Sequence, residues 1–257
     1  MRVIVQMASS LVIAFATYSR IPMPRVDWSE ENRRYSLCFF PLIGLVIGAV
    51  MAGWIWLCDA LGIGSMLRGC VGALIPLMIT GGIHMDGFMD TCDALASWQS
   101  KERRLEILKD SHVGAFAVIG CCAYLMITAG LLSEMTMDHA LPLAMCFVAS
   151  RAASAMTSVS MKPAKAEGML RSFTMASRSR AVLISSCGYF ALCLCIWLHA
   201  GLTMAFLCAV AVVICALVYK RMAYTHFGGV TGDLAGWLLQ VTELTLLAVM
   251  VVGGKLL

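Results

Sequence analysis

Apolar residues recur along this chain in long unbroken runs, separated by short stretches where charge and glycine collect. Runs able to cross about 30 Å of hydrocarbon fall near 36–58, 66–83, 113–132, 140–159, 181–199, 202–219 and 236–253. The pattern predicts an all-α fold, a polytopic integral membrane helical bundle with about seven transmembrane helices. A further apolar stretch opens the chain. It has the outline of a short signal peptide, with Ala14-x-Ala16 ahead of a cut, but a single Arg2 and the interrupting Gln6, Ser9 and Ser10 favour a retained N-terminal helix, amphipathic or buried in the bundle.

Composition supports the membrane assignment. Of 257 residues, 60% are hydrophobic and 13% charged, and mean hydropathy is +0.85, outside the range of ordinary soluble domains. No Pro/Gly/Ser-rich linker and no internal repeat divides the chain, so residues 1–257 are expected to form one membrane-embedded catalytic domain. The twelve cysteines mostly stand singly in apolar segments, as at Cys58, Cys146, Cys208 and Cys215. Neither Cys121-Cys122 nor Cys193-x-Cys195 has zinc-ligand spacing, and a disulfide framework is not expected.

Charge then orients the spans. Arg20, Arg25, Arg33 and Arg34 form one basic group; Lys101, Arg103, Arg104 and Lys109 another; Lys162, Lys165, Arg171, Arg178 and Arg180 a third; Lys220 and Arg221 a fourth. These alternate with loops near 59–65, 133–139 and 200–201 that carry no Lys or Arg. Positive charge on every second loop assigns those loops to the cytoplasm. The formal net charge of +4 is therefore a topology signal first, and nucleic acid is not expected as a partner.

One polar segment stands out at the cytoplasmic end of the second run, GGIHMDGFMDTCDAL, Gly81–Leu95. On a helix starting near Ile83, Asp86, Asp90 and Asp93 fall on one face within about 60° of arc, spanning roughly 10 Å along the axis. Like charges so placed repel, which calls for a cation between them. Carboxylate oxygens without neighbouring thiolates suit Mg²⁺ or Mn²⁺, ions that also bridge to substrate phosphates. Helix capping or pairing with Arg103 and Arg104 is the plainer alternative. Gly87 removes a side chain where a phosphate would approach. His84 points away from Asp86 on a regular helix unless Gly81-Gly82 breaks it; a ligand or general-base role stands beside simple hydrogen bonding.

Two further islands lie on the same side. In LKDSHVGAF, Asp110 and Ser111 are helix N-cap types, while Lys109, Ser111 and His112 are candidate phosphate contacts. In THFGGVTGDLAGWLLQVTEL, Gly228, Gly229, Thr231 and Gly232 would free backbone amides to cup an anion, with Asp233 joining the metal ligands. Arg151, inside the fourth run, needs an acid or a substrate phosphate as partner, and Glu243 is expected to be an inward polar contact.

Taken together, SRIPMP (Ser19–Pro24), FFPLIGLVIG (Phe39–Gly48), the aspartate segment, LKDSHVGAF, KPAKAEG (Lys162–Gly168) and GGVTGDLAGWLLQVTEL closely resemble the cobalamin synthase family of adenosylcobinamide-GDP ribazoletransferases. The resemblance covers nearly the whole chain in order; it departs at Ala94, where the family commonly has Gly, and at His112, where it has a basic residue. It implies a multi-pass protein of the bacterial cytoplasmic (inner) membrane, with its active site on the cytoplasmic side, that assembles the nucleotide loop of cobalamin. The 3'-hydroxyl of α-ribazole, or of α-ribazole 5'-phosphate, would attack the cobinamide-attached phosphorus of adenosylcobinamide-GDP and release GMP. Mg²⁺ is the implied cofactor, with Asp86, Asp90, Asp93 and Asp233 as its ligands and His84 or an aspartate as proton acceptor. Lys109, Asp110, Ser111, Arg151, Gly228, Gly229, Thr231 and Asp233 would contact substrate. The lipid bilayer is a partner, and a homo-oligomer is left open.

Other classes fit less well. A CDP-alcohol phosphotransferase expects Ala-Arg shortly after the Asp-Gly pair, where this chain has Phe88, Met89 and Asp90. An aspartate-rich prenyltransferase expects a second acidic cluster. An ion-coupled transporter usually places its acids at mid-membrane on repeated, broken helices.

Overall fold

The computed structural model describes residues 2–164 and 168–256; Lys165 and Glu167, part of the KPAKAEG segment, lie outside the described residues. Among the described residues twelve α-helices follow one another: α1 (Arg2–Tyr18), α2 (Glu30–Arg33), α3 (Ser36–Leu61), α4 (Ser65–Thr80), α5 (Ile83–Ala96), α6 (Lys101–Ile107), α7 (Ala115–Ser133), α8 (Ala140–Ser160), α9 (Met169–Ala176), α10 (Ser179–His199), α11 (Leu202–His226) and α12 (Gly232–Leu256). The described residues contain no β-strand, only an isolated bridge between Pro163 and Val230.

Six helices, α3, α7, α8, α10, α11 and α12, are long and apolar enough to cross a membrane alone. The expected second span is shorter than the others. Helix α4 has 16 residues and passes as a span only together with α5, from which it is bent by 101°. The cause is local: Gly81 and Gly82 both adopt left-handed conformations, φ +67° and +79°, which a side chain would resist. α1 packs against α3 and α2, with Ile13 and Ala14 buried and Val3, Ile4 and Val5 exposed.

Helix α8 is the axis of the bundle, buried along most of its length and packed by α3, α10 and α12. Its small side chains permit close approach. Gly44 and Gly48 of α3, four residues apart, lie so tightly on α8 that a Cβ at either would collide with Phe147 or Ala144. All twelve cysteines are free.

The helices alternate in direction, so α3, α7, α10 and α12 begin at one end of the bundle, where α4, α8 and α11 finish. Helix α5 lies across that end. Its first turns meet the start of α12, His84 against Gly236 and Gly87 against Asp233, and its later turns meet the start of α7, Cys92 against Gly120 and Asp93 against Gly114. It is thus a cross-piece bent away from α4, and the basic loops sit around it.

Candidate active site

The site forms where α5 and α12 cross. Two glycines let the backbones touch: a Cβ on Gly87 would stand 2.8 Å from both Cα and O of Asp233, and one on Gly236 would stand 3.0 Å from the His84 carbonyl oxygen. The space beside Gly87 is filled by the Asp233 backbone, so its expected role in admitting a phosphate is corrected to one of helix crossing. The crossing brings Asp86 and Asp233, 147 residues apart in sequence, to the rim of one cleft of about 240 Å³. Tyr18, Phe40, His84, Ser154, Ser158 and Leu170 also line it. Because Gly81-Gly82 breaks the helix, His84 shares this cleft with Asp86.

The electrostatics are unbalanced there. Partial burial, and then the charges of Asp86, Asp233 and Asp93, push the Asp90 carboxyl up to about 7. Among the described residues neither the Asp86 nor the Asp90 carboxylate has a hydrogen-bond or ion-pair partner. The basic residues expected as alternatives are engaged elsewhere: Arg103 with Glu106 at 2.6 Å and Arg104 with His226 Nδ1 at 2.6 Å. His84 is buried, and both ring nitrogens lack partners among the described residues. Burial, and secondarily the Arg151 charge, holds its pKa well below the usual value, so the imidazole is neutral.

Asp93 is used differently. Its Oδ2 accepts from Gly114 N at 2.7 Å and its Oδ1 from Ala117 N at 2.8 Å, capping α7. Asp110 and Ser111, read as cap types for that helix, do not cap it. Asp110 instead accepts from His112 N at 3.0 Å and pairs with its Nδ1 at 2.7 Å. Asp110 and His112 line a separate open hollow at the Asp93 end of α5, and Lys109 and Ser111 do not line the cleft of Asp86.

Three further expectations are corrected. Arg151 is not available to a phosphate: it is 1% exposed and paired with Glu243 at 2.5 Å, while Ser150 donates to the same carboxylate at 3.1 Å. Gly229 does not offer a free amide, since its N–H donates to Ala223 O at 3.2 Å. The neighbouring Val230 N–H donates to Lys162 O at 3.0 Å, docking the loop on the 162–164 segment. Thr231 caps α12, accepting from Leu234 N at 3.3 Å and lying 3.4 Å from Asp233 Oδ2, while Gly228 supplies the left-handed turn at φ +76°.

Tyr18, Phe40, Ser154 and Ser158 went unnoticed as site residues because each stands inside an apolar helix. A signal existed for the serines: Ser150, Ser154 and Ser158 recur every four residues and share one face of α8.

An acidic, partly buried cleft at one end of a multi-pass helical bundle defines a class, membrane proteins that handle polar substrates at the bilayer surface. The particular family follows from comparison. Residues 10–251 match the family model of cobalamin-5-phosphate synthase, and this chain belongs to that family. A protein of Lachnoclostridium phytofermentans named adenosylcobinamide-GDP ribazoletransferase is 42% identical over 97% of this chain and 96% of its own. Proteins of the same name from Clostridium botulinum (31% identical, 91% of this chain, 93% of theirs) and Geotalea daltonii (30%, 95% and 97%) are also similar. No solved structure matches.

Proposed function

We propose that this chain is an adenosylcobinamide-GDP ribazoletransferase, joining adenosylcobinamide-GDP to α-ribazole or its 5'-phosphate. A sugar hydroxyl of ribazole attacks the phosphorus attached to cobinamide. The new P–O bond forms as the bond to GMP breaks; the hydroxyl proton passes to a cleft carboxylate or to His84, and GMP leaves with the electron pair. The observation that carries this reading is the convergence of His84, Asp86 and Asp233 on one cleft in a chain of this family.

Such a displacement needs charge neutralisation and alignment more than covalent catalysis. Asp86, Asp90 and Asp233 fit a hard divalent ion in donor type and in charge, since Asp90 is pushed up by partial burial and then by its acidic neighbours. Among the described residues no group of three His, Cys, Asp or Glu side chains is placed to hold one metal ion by itself. That openness agrees with Mg²⁺, which usually takes one or two carboxylates and completes its shell with water and phosphate oxygens. When bound, Mg²⁺ would polarise the phosphoryl oxygens and steady the departing nucleotide. Asp93 is spent on capping α7.

The basic loops surround the end that carries the cleft, which supports a cytoplasmic active site in the inner membrane. The test is GMP release by the purified protein in lipid with adenosylcobinamide-GDP, α-ribazole and Mg²⁺. Absence of GMP, or turnover unaffected by exhaustive chelation, would overturn the respective parts of the reading.

A further inference from the structure

Deeper than the acids, the cleft has an interior that phosphoryl chemistry does not need. An aromatic file leads into it from the surface. Trp28 stands 6.5 Å from Phe173, Phe173 6.0 Å from Tyr18, Tyr18 4.5 Å from Phe40, and Phe40 5.4 Å from His84, all between ring centroids. The Tyr18 and His84 rings lie within 17° of parallel. His84 is 7% exposed, lines the cleft, and keeps both ring nitrogens unpartnered among the described residues. Buried polar atoms are ordinarily satisfied, so a ring nitrogen left over on a cavity wall is a place for a ligand atom.

We infer that this interior binds the aromatic base of ribazole, laid against Tyr18 and Phe40 with a His84 nitrogen hydrogen-bonded to the base's free ring nitrogen. The inference rests on the ribazoletransferase reading and says which substrate enters the cleft, and which way round.

Size removes one candidate. With room for about 240 Å³, the cleft is of the order of a nucleoside and below the usual span of drug-sized sites, and the corrinoid is too large to enter it. Two nucleosides remain, the guanosine of one substrate and ribazole. Guanine presents N–H donors along one edge and wants carboxylate or carbonyl acceptors facing it. Among the described residues the carboxylates on this cleft are Asp86 and Asp233, at the rim where the diphosphate is handled. Ribazole's dimethylbenzimidazole has the opposite character: a methylated benzene edge, no N–H donor, and a single ring nitrogen that accepts. Leu37, Phe40, Ile83 and Ala155 suit that edge, and an unpartnered His84 ring N–H supplies the donor. With the base held there, the sugar is directed to the acidic rim, and the attacking proton goes to a carboxylate, leaving His84 to recognition.

His84→Gln separates this role from general-base catalysis. It should raise KM for α-ribazole at least tenfold, with kcat within about threefold and KM for adenosylcobinamide-GDP within twofold. A collapse of kcat at unchanged KM, or a shift confined to adenosylcobinamide-GDP, overturns the assignment. Ser158→Cys gives a near-isosteric second probe that needs no turnover. Its modification by a small methanethiosulfonate, read by mass spectrometry of the α8 peptide, should be slowed by α-ribazole and not by GDP. Protection by GDP alone, or by neither, overturns the inference. Protection by α-ribazole in a protein that releases no GMP would instead keep the base site and remove the transferase reading.

Discussion

Asp93 of α5 holds the amide of Gly114, 21 residues further on, at 2.7 Å, and with Ala117 forms a cap donated from one helix to the start of another. Gly114 cannot carry a side chain here, since a Cβ would sit 2.6 Å from the Asp93 carboxylate oxygens. Replacing Asp93 with Ala should cost about 1 kcal/mol in stability, as for other lost caps, measured by thermal unfolding in detergent. The Mg²⁺ concentration for half-maximal turnover should stay within twofold; a tenfold rise would return Asp93 to the metal ligands.

Asp90 should behave in the opposite way. Asp90→Asn is expected to abolish GMP release while the protein still folds in the membrane. The carboxyl sits at about 7, so below that pH a proton competes with the cation. The half-saturating Mg²⁺ concentration should therefore rise as pH falls from 8 to 6, followed by titration at fixed substrate.

The same shift has a consequence for stability with its own sign. A carboxyl raised above its unfolded value binds more protons when folded, so metal-free protein loses stability as pH rises from about 4 towards 7. Melting temperatures recorded across that window should fall, and saturating Mg²⁺ should flatten the fall.

Gly87→Ala is expected to reduce both turnover and stability. The added methyl meets the backbone of Asp233, which cannot rotate away as a side chain would. Overpacking of this kind costs about 1–3 kcal/mol, and separating α5 from α12 pulls the acidic rim apart. Wild-type activity and melting temperature in this variant would refute the crossing.

The buried pair Arg151–Glu243 should show non-additivity. Arg151→Met alone leaves Glu243 unpaired inside the bundle, at a cost of about 3–5 kcal/mol. Adding Glu243→Leu should recover most of it, measured as melting temperature of the single and double variants.

Much of the architecture was legible because bilayer thickness imposes it. The seven apolar runs became α3, α4, α7, α8, α10, α11 and α12 with ends moved by a few residues, and Ile83 does begin a new helix. What the pattern could not give was partner choice. Asp86, Asp90 and Asp93 share a face, yet one turns to α7 and another to the cleft, and that division depends on which helices α5 crosses. Arg151 announced only that it needed an acid; finding Glu243 required the α8–α12 contact. The glycines of GGVTGD looked like an anion cup, but Gly229 and Val230 had closer partners in Ala223 and Lys162.

The brevity of α4 sets the depth at which all this takes place. Its 16 residues reach about 24 Å, short of about 30 Å of hydrocarbon, whereas α3 and α11 run to 26 and 25 residues. The acid-bearing cross-piece hangs from the short helix, sunk among taller neighbours, and the bilayer must dimple to meet it. A short anchor of this kind would hold the acids below the level its longer neighbours reach, and turnover should track the thickness of the lipid around it.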